Sequence, residues 1–201
     1  MSFSFFPDYK FKRTQDITPA FLQEAGISLL MLDLDNTLAP YGKSKPAEDM
    51  ILWCDQMRQA GITLYIVSNN RSIRPEIFSD IFGIPYVHKA GKPFTHGVKK
   101  AIRMSGFTPQ QAALCGDQIY TDILAAHFAG ICGILVAPIR LWNPLHLMRY
   151  LIELPFRWRV RKQSKSALLA QKEQEDLSPP DVVIERIFAE EQDPPADREE
   201  N

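Results

Sequence analysis

Residues 27–37 read Ile-Ser-Leu-Leu-Met-Leu-Asp-Leu-Asp-Asn-Thr, a short apolar run that ends on two carboxylates set two residues apart. Such a run, without alternation of polar and apolar residues, is the pattern of a strand buried on both faces. Three further runs repeat it: Ile62-Thr-Leu-Tyr-Ile-Val-Ser68, Ala112-Ala-Leu-Cys-Gly-Asp117 and Gly133-Ile-Leu-Val-Ala137, with a weaker one at Ile84-Pro-Tyr-Val-His88. Between them lie helix-like stretches at 46–60, 74–82, 94–105 and 120–129, each halted by a glycine: Gly61, Gly83, Gly106 and Gly130. The first of them opens with Pro46 and carries Glu48 and Asp49 in its first turn, as helix N-termini prefer. This alternation predicts an α/β fold, a doubly wound parallel sheet with helices on both faces.

In sheets of this kind ligands bind outside the carboxyl ends of the strands. The polar residues there are Asp33 and Asp35, Ser68 and Asn69, and Asp117 with Asp122, and Lys92 follows the weaker strand by a few residues. Two acids as close as Asp33 and Asp35 repel each other unless a cation lies with them. Mg2+ suits such a site, because it prefers oxygen ligands and keeps waters that a phosphate can replace. One acid of the pair then has the chemistry to attack phosphorus, and the other to shuttle a proton. Ser68 and Lys92 supply a hydroxyl donor and a fixed positive charge for phosphoryl oxygens. Arg71, close to Ser68, is a further candidate for contact with a substrate.

Asp33-Leu-Asp-Asn-Thr-Leu38, Val67-Ser-Asn69, Gly91-Lys-Pro93 and Gly116-Asp-Gln-Ile-Tyr-Thr-Asp122 resemble, in order and in strand context, the four motifs of the haloacid dehalogenase superfamily of phosphatases. The resemblance implies a Rossmann-like core with Asp33 as nucleophile and Asp35 as general acid/base. It also implies Ser68, Asn69 and Lys92 as phosphate binders. The Mg2+ ligands it implies are Asp33, Asp117 and the backbone carbonyl of Asp35, with Asp122 as ligand or support. The lead-in Ile17-Thr-Pro-Ala-Phe-Leu22 with Gly26-Ile27, and the Gly116-Asp-Gln118 variant, are similar to the YqeG-like subfamily, class IIIA. Its relatives include mitochondrial phosphatidylglycerophosphate phosphatases, which implies phosphatidylglycerophosphate as substrate and phosphatidylglycerol as product.

The spacing narrows the architecture. From Asp35 to Ser68, Ser68 to Lys92 and Lys92 to Asp117 the steps are 33, 24 and 25 residues, room for one helix, one strand and short turns each. No cap domain fits, and an open site cannot sequester a small substrate alone. A large substrate, or a lid lent by a second copy in a homo-oligomer, is therefore expected.

The organisation expected is a phosphatase core with its lead-in over 1–138, a basic and apolar segment over 139–166, and an acidic tail over 167–201. With 201 residues, 45% of them hydrophobic, the chain can bury a core without staples, which excludes a disulfide scaffold, a fibre or a mainly disordered protein. The 23 basic and 24 acidic side chains nearly cancel, but they are unevenly placed. Segment 139–166 holds seven bases and one acid, and 167–201 holds eleven acids and three bases, a composition expected to stay disordered.

Aromatic and aliphatic residues among arginines suit the headgroup zone of an anionic bilayer, so 139–166 is expected either to dock there or to pack as a helix on the core. Pro155 is expected to interrupt its pattern. No nucleic-acid motif accompanies the charge, and no nucleic-acid partner is expected. The first residues lack a secretory pattern, and the 17-residue uncharged window Ile123–Ile139 is broken by glycines and Pro138, so a cytoplasmic protein, either soluble or peripheral on the inner face of a membrane, is expected. A phosphatase of soluble sugar or nucleotide phosphates or of a phosphorylated macromolecule, and a noncatalytic phosphate-binding adaptor, stand as alternatives.

Overall fold

The computed structural model describes residues 4–140, 144–157 and 159. Six parallel strands form its sheet: β1 (Tyr9–Lys10), β2 (Leu29–Leu32), β3 (Thr63–Val67), β4 (Tyr86–Val87), β5 (Ala112–Gly116) and β6 (Cys132–Leu135), in the spatial order β1-β6-β5-β2-β3-β4. The chain winds outward from β2 through β3 to β4, then returns to β2's other side for β5 and β6. The reversal lies between β2 and β5, the place where an open sheet leaves a crevice.

Burial follows the strand parity. Leu30 and Leu32 of β2 pack into one apolar layer with Leu64, Ile66 and the helices α1 (Pro19–Glu24), α2 (Glu48–Gln59) and α3 (Arg74–Phe82). Leu29 and Met31 pack into the opposite layer with Tyr65, Val67 and the helices α4 (His96–Ser105) and α5 (Leu124–Ala129). Both faces of the sheet are covered, which is why its strands read as continuous apolar runs. One helix each separates β2 from β3, β3 from β4 and β4 from β5, and no cap is inserted between them.

The structure adds features absent from the sequence reading. β1, only two residues long, pairs with β6 at the sheet edge, and no apolar run announces it. α1 turns the lead-in into a helix: the Thr18 hydroxyl accepts from the Phe21 N–H at 3.2 Å and Pro19 takes the first helical position. The helix expected over 120–129 begins as a π-helical turn (Ile119–Ile123) before α5. The last helix, α6 (Pro144–Arg157), runs through Pro155 instead of stopping before it, and Phe156 packs 5.1 Å from the Phe5 ring centroid. Residues 141–143, 158, 160–166 and the acidic tail 167–201 lie outside the described residues.

Candidate active site

All the strand-end residues singled out above lie beyond the carboxyl ends of the strands, in loops except for Asp122, which stands in the π-helical turn. Asp33 leaves β2 with its N–H donating to the Cys115 carbonyl at 2.8 Å, so β5 holds it in register. Three residues on, Asn36 adopts a left-handed φ of 62°, a conformation that asparagine tolerates better than most side chains. Its N–H donates to the Ala39 carbonyl and its side-chain oxygen accepts from the Tyr41 N–H. Asp33, Asp35, Ser68, Asn69 and Lys92 line one open cleft, joined on its walls by Arg71, Gln118 and Arg149.

The buried heart of the site is an unbalanced charge cluster. Asp33, Asp117 and Asp122 each place a carboxylate oxygen within 4.8 Å of the others. One ammonium faces them: Lys92 Nζ donates to Asp33 Oδ1 and Asp122 Oδ1, at 2.6 Å each. Burial, and then the neighbouring Asp122 charge, push Asp33 up to about 6 against the pull of Lys92. Burial, Asp122 and Asp33 raise Asp117 as well. Burial opposes the Lys92 ammonium, yet Asp122 and Asp33 outweigh it and hold its pKa above the ordinary lysine value.

A divalent cation fits this arrangement. Three carboxylates against one ammonium leave negative charge uncompensated, the donors are all oxygen, and Asp117 Oδ1 is buried with no hydrogen-bond partner. Gly116 makes the cluster sterically feasible, because a Cβ there would lie 2.2 Å from Asp122 Cγ. The Asp122 carboxylate is further held by the Gln118 N–H at 3.1 Å.

The other predicted residues take distinct places. Ser68 is buried at the end of β3, and its hydroxyl oxygen accepts from the Asn70 N–H at 3.1 Å. Asn69 bridges two motif loops: its amide donates to the Lys92 carbonyl at 2.9 Å and accepts from the Lys92 N–H at 2.8 Å. Asp35 stands apart from the three-carboxylate cluster. Its carboxylate accepts from Asn70 Nδ2 at 2.9 Å and is paired with the Arg74 guanidinium.

Residues 8–130 match the haloacid dehalogenase-like hydrolase family. The chain belongs to the haloacid dehalogenase-like hydrolases. Over 135 residues it is 36% identical to a probable phosphatase, YqeG, of Bacillus subtilis, covering 67% of this chain and 78% of the relative. Among solved structures it is similar to a hypothetical protein from Xanthomonas campestris at a TM-score of 0.49 and 18% identity, over 88% of this chain and 97% of the other. A 3-deoxy-D-manno-octulosonate 8-phosphate phosphatase from Moraxella catarrhalis, solved with magnesium, phosphate and KDO, aligns at a TM-score of 0.42 and 19% identity, over 49% of this chain and 62% of that one. This haloacid dehalogenase-like hydrolase is a phosphatase, a phosphomonoester hydrolase.

The hydrolase's site also contains residues that the sequence reading did not single out. Arg74, the first residue of α3, reaches Asp35 and also donates to the Lys43 and Pro40 carbonyls at 2.8 and 2.7 Å. Nothing in the sequence near Arg74 separates it from an ordinary surface arginine. Glu153 and Arg157 of α6 are buried against the loop that carries Asp117. Their four-residue spacing marks one helix face, but not that this face would be the inner one.

Proposed function

We propose that this phosphatase hydrolyses phosphatidylglycerophosphate to phosphatidylglycerol at an anionic membrane surface, with Mg2+ as its metal. The Asp33 carboxylate attacks phosphorus as the bond to the leaving alcohol oxygen breaks, and Asp35 gives that oxygen a proton. Asp35, now a carboxylate, takes a proton from water as the water oxygen attacks the aspartyl-phosphate, which releases phosphate and restores Asp33. Lys92 and Ser68 hold the phosphoryl oxygens during both steps. Asp33, Asp117 and the Asp35 carbonyl would hold the Mg2+, with Asp122 in support, and the bound ion would supply charge neutralisation for the phosphoryl group. Asp35 is engaged by Arg74 in the substrate-free protein, so substrate entry has to loosen that pair before proton transfer.

The observation that carries the lipid reading is that α6 leaves an apolar face outside while burying Glu153 and Arg157, with Phe156, against the core. Leu147, Met148, Leu151 and Ile152 face outward, 44–56% exposed, while Glu153 and Arg157 face inward. A helix of a soluble core buries its apolar stripe, and contiguous apolar exposure marks a contact surface. The same helix sends Arg149 to the cleft, so the apolar face adjoins the site. Ile73 and Phe94, in the loops after β3 and β4, are exposed at that edge of the sheet too. Arg159 follows α6, exposed, and the bases Arg161, Lys162 and Lys165 stand just beyond it in sequence. Each base near an anionic surface adds about 1 kcal/mol of attraction. Among the described residues no helix is long and apolar enough to cross a membrane, so the contact proposed is peripheral.

The test is phosphate release from phosphatidylglycerophosphate in anionic vesicles, beside a soluble ester, by the wild type and by Leu151→Glu with Ile152→Glu. The expected result is a lipid rate at least tenfold lower in the variant, with the soluble-ester rate held. A wild-type preference for soluble sugar phosphates would discard the lipid and leave the chemistry standing.

A further inference from the structure

Within α6 the buried charges are balanced, and they are joined to backbone rather than to one another alone. Glu153 Oε1 accepts from the Ile119 and Tyr120 N–H groups at 2.9 and 3.1 Å. These are donors at the opening of a helical turn, which have no partner within the turn itself. Glu153 Oε2 accepts from Arg157 Nη1 at 2.9 Å. The same nitrogen donates to the Asp117 carbonyl at 2.8 Å, and Arg157 Nη2 donates to the Val136 carbonyl at 3.1 Å. One ion pair thus binds the backbone on both sides of Gln118, between Asp117 and Asp122. It also ties that loop to the end of β6.

This clamp matters because the Asp117 side chain has so little else to hold it. Its Oδ1 is buried without a hydrogen-bond partner, so the carboxylate is aimed mainly by its own backbone. The backbone is in turn held at the Asp117 carbonyl by a guanidinium 40 residues away in sequence. The pair is neutral as a whole, and its hydrogen bonds to the Ile119 and Tyr120 N–H groups and the Asp117 carbonyl fix the position of the loop that carries the cluster. Groups that orient metal ligands typically alter metal affinity by about 10–100-fold when removed.

We propose that Glu153 and Arg157 are positioning residues that hold the 117–122 loop so that Asp117, with Asp122 in support, shares one divalent cation with Asp33. The placement rests on the metal site described under Proposed function, and is independent of the lipid. The α6 segment is then a working part of the active site as well as a surface element.

The experiment is calorimetric titration of the full-length, metal-free protein with Mg2+ alone, for the wild type, Glu153→Gln, Arg157→Met, Arg157→Lys and Asp117→Asn. In parallel, the Mg2+ dependence of p-nitrophenyl phosphate hydrolysis separates the half-activating Mg2+ concentration from kcat. Glu153→Gln and Arg157→Met are expected to weaken Mg2+ binding about 10–100-fold. Their kcat at saturating Mg2+ is expected to stay within about threefold of wild type. Arg157→Lys, which keeps the charge but not the fork that spans three acceptors, is expected to fall between. Unchanged Mg2+ affinity in Glu153→Gln overturns the proposal, and that variant, which keeps volume and an acceptor oxygen, decides the matter if Arg157→Met does not fold. Equal Mg2+ affinity in the wild type and Asp117→Asn overturns the metal-site reading itself, an outcome distinct from failure of the clamp.

Discussion

Two regions at the carboxyl ends of the strands bury charge among the described residues, and they are built on opposite terms. In the motif loops three carboxylates meet one ammonium, and one carboxylate oxygen, Asp117 Oδ1, is left without a partner. In α6 one carboxylate meets one guanidinium, and their remaining hydrogen-bonding capacity goes to four backbone groups of neighbouring segments. Isolated buried charge is costly, so an unbalanced cluster persists where something from outside completes it. A charge-balanced pair bonded to backbone serves to fix the chain around it. The comparison separates a site that awaits a ligand from a scaffold that shapes it.

The largest effect expected is on the first region's chemistry. Asp33→Asn should lower the rate by 10³–10⁴-fold or more, the order seen when a nucleophile is removed, while the protein still melts cooperatively. Rapid-quench trapping should at the same time show no phosphorylated chain. Near-wild-type turnover by this variant would remove the proposed nucleophile.

Removing the lone cation tests the imbalance. Lys92→Met should destabilise the metal-free protein by about 3–5 kcal/mol, the scale for breaking a buried pair, with part of the loss recovered on adding Mg2+. Equal melting temperatures for the wild type and the variant without metal would show that the carboxylates are not held as charges.

A smaller effect follows from acidity. Asp33 is raised from 3.8 to about 6, and Asp117 is raised too, so the folded protein holds these protons more tightly than the unfolded chain. The Asp33 contribution is fully present below about pH 4 and is lost as pH climbs through about 6. A divalent cation replaces the protons, so the melting-temperature gain on adding Mg2+ should be small at pH 5 and larger at pH 7.5. Expressed as unfolding free energy, the difference between the two pH values is expected to be on the order of 1–3 kcal/mol. Thermal melts at both pH values with and without Mg2+ check it, and the opposite ordering would contradict a carboxylate site.

The two regions were also unequally legible. The parallel sheet and its paired faces were readable because strands buried on both sides leave unbroken apolar runs, as at Leu29–Leu32 and Ala112–Gly116. The cluster residues were readable because each ends such a run or closely follows one. β1 was not readable: two residues at a sheet edge carry no periodicity. The inward face of α6 was not readable either, because its stripe of Leu147, Leu151 and Ile152 looks like a core-facing one until the structure shows it outside. Pro155 was expected to interrupt α6, yet the helix continues to Arg157.

From the sequence by itself came the doubly wound fold, the family motifs and the candidate chemistry at Asp33, Asp35, Ser68, Lys92, Asp117 and Asp122. Each depends on a short segment whose local pattern states where a strand ends and which polar group stands there. Only the tertiary structure decided that Arg74 holds Asp35, that Asn69 bridges to Lys92, and that Glu153 with Arg157 braces the Asp117 loop. Those contacts join residues 23–40 positions apart, and which side chains meet over such distances is set by how whole elements pack, not by any neighbour in the chain.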